Sequence, residues 1–154
     1  MGSEAKASIF ILIALLIIHL QGCSVPRILI IDDPLSPEEH VNLGLAYEKN
    51  GEFDLAEKEY RIASEKFPAA YVYLGNLAFT RKRSDSAESF YRKAIIADPH
   101  NADALNNLAW LYYSRKTNLD EAEQLAVKAL EFGKSKRDIY RNTLEKIREI
   151  KKGH

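Results

Sequence analysis

The sequence predicts an all-α fold, three helix pairs stacked side by side and closed by a seventh helix. Three observations predict it. Two short patterns alternate three times along the chain: an apolar stretch around a Leu-small pair, then an Ala-rich stretch with side chains spaced 4 and 3 apart. Turn residues and prolines fall between these stretches. The last twenty residues carry a narrow apolar stripe on an otherwise charged segment, as a helix with one buried face would.

The elements follow in order from the N-terminus. Residues 9–20 read IFILIALLIIHL, twelve residues with His19 the only polar one. A membrane-spanning helix needs about 20 apolar residues. Twelve falls in the range of roughly 7–15 for the core of a secretory signal. Leu20-Gln21-Gly22-Cys23 follows at once, and Cys23 is the only cysteine in 154 residues. This run resembles a bacterial lipobox, which implies a signal peptide over 1–22 and lipidation of Cys23. It also implies a membrane-anchored lipoprotein of the cell envelope. In such families Ser24 after the lipidated cysteine implies the periplasmic face of the outer membrane. Gln21 is an unusual choice within the box, and Lys6 is offset by Glu4.

Residues 23–35 form the lipidated N-terminus and tether. Pro26 and Pro34 oppose a helix there, and the apolar run at 28–31 suits packing on the domain that follows. Ser36-Pro37-Glu38-Glu39 starts that domain at 36–152, with Ser36 as N-cap, Pro37 at the first helical position and Glu39 closing a capping box.

The first patterns are HVNLGLAY, YVYLGNLA and LNNLAWLY, with the pairs Leu43-Gly44, Leu74-Gly75 and Leu108-Ala109. The second are AEKEYRIA, AESFYRKA and AEQLAVKA, carrying Ala56/Tyr60/Ala63, Ala87/Tyr91/Ala94 and Ala122/Ala126/Ala129. Spacings of 4 and 3 put these side chains on one helical face, where small residues admit a neighbouring helix. Asn50-Gly51 and Arg83-Ser84 end first helices, with Ser84 able to cap the next, while Pro68 and Pro99 end second helices. Asn101 is placed as a further N-cap. Ala102 opens a helix and reads as exposed. The stretch Lys116-Thr117-Asn118-Leu119 holds one residue more than its counterparts, and the junction from Pro68 to Gly75 is three residues short. Tyr140, Leu144 and Ile147 form the stripe of a terminal capping helix at 136–152.

This arrangement resembles the tetratricopeptide repeat, whose pattern is W-x2-L-G-x2-Y, then A-x3-F, then P. Repeats run over about 37–68, 69–100 and 101–135. The resemblance implies a right-handed α-solenoid and a protein or peptide partner held in its concave groove. Placement just before and after the Leu-small pair nominates the groove residues Val72, Tyr73, Asn76, Phe79, Asn106, Asn107, Trp110 and Tyr113. The competing reading packs Trp110 and Tyr113 against the terminal helix. Relatives that hold a carboxylate use Lys, Arg and two Asn. Asn76 and Asn107 match the two Asn, but Val72 stands at a Lys position, and Asp103 and Asn107 stand where cations belong.

Composition excludes other classes. Lys+Arg and Asp+Glu number 22 each, so nothing favours a nucleic-acid partner. No catalytic motif is present, the histidines are scattered, and no enzyme activity, cofactor, metal or small-molecule substrate is expected. Charge is uneven: eight Lys/Arg and three Asp/Glu lie in 133–154, net +5, and 23–132 is net −5. That suits a solvated helix face, or contact with anionic lipid or an acidic partner. The resulting expectation is an envelope adaptor or assembly factor. The alternatives are a chaperone that holds exported chains and an accessory subunit of a processing peptidase.

Overall fold

A computed structural model describes residues 33–153. The expected signal peptide at 1–22, Cys23 and the apolar run at 28–31 lie outside them. From Pro34 the chain forms one unit of seven helices among the described residues: α1 (Pro37–Lys49), α2 (Phe53–Lys66), α3 (Ala70–Thr80), α4 (Ser84–Ala97), α5 (Ala102–Arg115), α6 (Leu119–Phe132) and α7 (Arg137–Lys152). No described helix is long and apolar enough to cross a membrane.

Local signals start and stop these helices. Ser36 Oγ accepts from the Glu39 amide at 3.2 Å, and the Ser36 amide donates to Glu39 Oε2 at 2.7 Å, completing the capping box. The Ser36 amide first, and the Ser36 hydroxyl beside it, hold the Glu39 carboxyl below its ordinary range. Asn101 Oδ1 accepts from the Ala104 amide at 2.9 Å and caps α5. Ser84 does not cap. It is the first residue of α4, preceded by Arg83, whose side chain makes no capping bond to the helix. The turn is closed instead by Lys82 in the left-handed region, φ 58°, where α1–α2 uses Gly51 at φ 79°.

The extra residue of the third repeat does not lengthen its turn. Residues 50–52, 81–83 and 116–118 are all three-residue connectors, and the addition extends α5 beyond Ala109. Its turn carries two left-handed residues, Lys116 and Asn118. The short junction before Gly75 is absorbed mostly by α3, which has 11 residues against 14 in α5.

Each helix packs chiefly on its neighbours in sequence, and the first helices also meet one another, α1 with α3, α3 with α5, and α5 with α7. The backbones of the second helices α2, α4 and α6 stay apart, and only long side chains bridge them, such as Arg92 of α4 donating to Glu121 of α6 at 3.0 Å. The first helices therefore share the inner, concave side of the stack, and α7 takes the place a fourth first helix would have.

The core is the predicted alanine-tyrosine face. Ala56, Tyr60, Ala63, Ala87, Tyr91, Ala94, Ala122, Ala126 and Ala129 are all buried. A methyl group on Gly44 would overlap the Tyr60 ring, and one on Gly75 the Tyr91 ring. In the third repeat the tyrosine is Ala126 and the glycine is Ala109, so each small residue matches what faces it. Tyr140, Leu144 and Ile147 bury the stripe of α7. Ala102 is not exposed as expected. It is half-buried against the Leu105, Ala129 and Tyr140 cluster, because Gly133 brings the chain down onto it.

Candidate functional site, a trough on the concave side

Two hollows adjoin on the concave side. One, of about 370 Å³, is lined by Ala69, Val72, Tyr73 and Asn76 around α3, by Asn101, Asp103, Asn106 and Asn107 around α5, and by Lys136, Ile139 and Tyr140 at the start of α7. The other, of about 570 Å³, is lined by Asn106, Asn107, Trp110, Asp138, Ile139, Asn142 and Thr143. They share Asn106, Asn107 and Ile139, so they read as one trough.

Of the nominated groove residues, Val72, Tyr73, Asn76, Asn106 and Asn107 line the first hollow, and Trp110 lines the second with Asn106 and Asn107. Val72 is 8% exposed and packs on Ala94 and Ala104, so it forms floor more than wall. Phe79 and Tyr113 line neither hollow. Both pack against the main core. Each sits three residues after a trough residue, which turns it about 60° around the helix toward the core. The Tyr113 ring instead supports Trp110 from behind, with centroids 4.9 Å apart. Trp110 faces α7 residues across the second hollow.

A carboxamide chain crosses the floor. Asn76 Oδ1 accepts from Tyr91 Oη at 2.9 Å and from Asn107 Nδ2 at 2.8 Å. Burial pushes the Tyr91 phenol well above its ordinary range, so it stays a protonated donor. These two bonds occupy Asn76 Oδ1 and fix the carboxamide, and among the described residues Asn76 Nδ2 makes no hydrogen bond.

The trough is electrically balanced. Lys136 Nζ donates to Asp103 Oδ1 at 2.9 Å and Oδ2 at 2.7 Å, and Tyr140 Oη donates to Asp103 Oδ1 at 3.0 Å. Burial first, then the bond to Asp103, pushes the Tyr140 phenol up to about 12. Asp138 is paired with Arg141 at 2.7 Å.

Sequence reasoning missed the α7 wall. Lys136, Ile139, Tyr140, Asn142 and Thr143 lie after the third repeat, and only Tyr140 had been placed, as packing. The available signal was Ile139 itself, an aliphatic residue outside the buried stripe, which is 57% exposed.

Two histidines among the described residues lie outside the trough and pack against other side chains. His40 Nδ1 lies 2.7 Å from Glu59 Oε2 in a buried pair joining α1 to α2. His100 packs its ring 4.3 Å from Phe132. Among the described residues no cluster of His, Cys, Asp and Glu could hold a metal. Much of the basic charge of α7 pairs within the unit, Arg148 with Glu123 at 2.7 Å and Lys151 with Asp120 at 2.6 Å and Glu123 at 2.7 Å.

The comparisons with known proteins agree with this architecture. Two tetratricopeptide-repeat family profiles match, over residues 41–102 and 90–124. Stress-induced-phosphoprotein 1 of Caenorhabditis elegans is 38% identical over 68 residues, covering 44% of this chain and 21% of that one. Type IV pilus assembly protein PilF of Pseudomonas aeruginosa is 32% identical over 95 residues, covering 60% of this chain and 37% of that one. The chain thus spans about a fifth of the first relative and over a third of the second. A solved structure of Pseudomonas aeruginosa PilF has a TM-score of 0.68 and 28% identity, covering 75% of this chain and 54% of that one. The first tetratricopeptide domain of Spaghetti (RPAP3), bound to an HSP90 peptide, shares the fold at TM-score 0.68 and 20% identity, covering 78% of this chain and 96% of that one. Tetratricopeptide repeats are thus found in this chain between residues 41 and 124, on a stack of helix pairs.

Proposed function

We propose that the protein is a non-enzymatic, membrane-anchored adaptor or assembly factor of the bacterial cell envelope, holding a protein segment in the α3–α5–α7 trough. The observation that carries the reading is the trough itself. Carboxamides at its floor meet an aromatic and an aliphatic side chain at its walls. Asn offers both a donor and an acceptor to a bound backbone, and aromatic residues give contact area at low entropic cost. The envelope part rests on Leu20-Gln21-Gly22-Cys23 behind a twelve-residue apolar run, which resembles a lipobox. It also rests on the similarity to a protein named for type IV pilus assembly. Acylation of Cys23 would hold the protein to the membrane, since two or three chains anchor firmly where one is marginal.

The test is photo-crosslinking in living bacterial cells from Asn142, exposed in the trough, and from Lys128, exposed on α6 away from it. The reading expects one discrete adduct from position 142 and none from 128. Equal adducts from both, or a smear of many chains from 142, would reject a specific adaptor.

A further inference from the structure

Of the trough's polar side-chain atoms among the described residues, one is buried and left without a partner by the fold. Asn106 is only 6% exposed, yet it borders both hollows. Its Nδ2 reaches Asn107 Oδ1 at a long 3.4 Å, and its Oδ1 has no hydrogen-bond partner among the described residues. Buried carbonyls are almost always paired, and an unpaired one destabilises the fold. A leucine there would have similar bulk without that cost. The surrounding charges are all engaged. The one lining cation, Lys136, is held by both oxygens of Asp103, and Asp138 is held by Arg141. Beside the unused acceptor stand Trp110, half-buried, and Ile139, 57% exposed.

An unsatisfied acceptor asks for a donor, and balanced walls ask for an uncharged ligand. Building on the groove reading above, we propose that the trough selects an uncharged, extended, internal peptide segment. The segment donates a backbone N–H to Asn106 Oδ1 and lays an aliphatic side chain against Trp110 and Ile139. A chain end with a free carboxylate is disfavoured, because it brings an anion to an acceptor and finds no unengaged cation on the lining. Asn106 is then a specificity residue, retained at the expense of stability, and α7 is a wall of the site as well as a cap.

Trp110 is the only tryptophan in the chain, so its emission reports the trough directly. The full-length protein in mild detergent is titrated with three pools of nonapeptides lacking Trp. The first has a central Leu, Ile or Val in Gly/Ser/Thr flanks and blocked ends. The second carries the aliphatic residue at a free C-terminal carboxylate. The third has two central Asp and blocked ends. The proposal expects a saturable blue shift with the first pool and affinity at least tenfold weaker for the other two. Asn106→Leu should lose tenfold or more for the first pool while melting at or above the wild-type temperature. Ile139→Ser, an exposed change, should lose about fivefold with its melt unchanged. Preference for the carboxylate-ended or acidic pool, or unchanged affinity in Asn106→Leu, overturns the proposal and leaves the groove reading standing. Silence of Trp110 toward all three pools overturns both.

Discussion

Gly75 and Tyr91 show how one side chain sets the allowance of another. Alanine is favoured over glycine by about 1 kcal/mol in a helix interior, yet a methyl group at position 75 would run into the Tyr91 ring. Overpacking a close contact costs about 1–3 kcal/mol, so Gly75→Ala should lower stability by up to about 2 kcal/mol after the propensity gain. In a Tyr91→Ala background the clash is gone, and the same change should raise stability by up to about 1 kcal/mol. That pairing reproduces Ala109 with Ala126 in the third repeat. Urea melts of the four proteins check it, and a loss of equal size in both backgrounds would mean that Tyr91 is not what position 75 meets. The sequence displayed both members of each pair, Gly with Tyr and Ala with Ala, but the contact joining them appears only once the helices are packed.

At the scale of the helix, α7 is joined to α6 by charge as well as by its buried stripe. Hydrogen bonds from Lys151 and then Arg148 hold the Glu123 carboxyl below its ordinary value of 4.5. Donation by Tyr112 is the largest influence on Glu88 and lowers it, with Arg92 adding to the effect. Burial is the largest influence on Glu57 and raises it, but bonds and charges from Arg83 and Arg61 together bring it below. Each of these carboxyls binds a proton less readily in the folded state. Their stabilisation is therefore complete above about pH 4.5 and is lost as pH falls through the lowered folded values. Thermal melts should be nearly flat from pH 5 to 8 on account of these groups and fall in more acid solution. The three substitutions Glu57→Gln, Glu88→Gln and Glu123→Gln together should flatten that fall. The groups are partly exposed, so each pair contributes only about 0.2–1 kcal/mol. An unchanged acid limb in the triple variant would assign it to other carboxyls. The helices themselves were legible because period, caps and prolines agree on them. The trough wall on α7 was not, since a segment with one apolar stripe reads as a cap, and only packing shows that Ile139 leans over the neighbouring first helix.

For the whole molecule, two claims stand on different ground. The repeat stack follows from its buried alanines and tyrosines. The membrane anchor follows from the leader alone, with Cys23 outside the described residues. Cys23→Ser should abolish incorporation of radiolabelled fatty acid and leave a longer precursor, because the lipid is held through the thiol. Equal labelling of wild type and variant would reject the anchor and leave the repeat domain untouched. The central claim is that the face shared by α3, α5 and α7 binds a partner and is not required for folding. The most direct measurement is the double variant Asn76→Ala with Trp110→Ala, followed by circular dichroism melts and by recovery of the adduct formed from position 142. Asn76 makes two floor bonds worth about 1 kcal/mol each, and Trp110 is half-buried, so the loss should fall short of the 3–5 kcal/mol of a core aromatic. The account predicts near-wild-type helical content, a modestly lower melting temperature and loss of the adduct. A variant that unfolds at the growth temperature, or one that folds and keeps the adduct at wild-type yield, would contradict it.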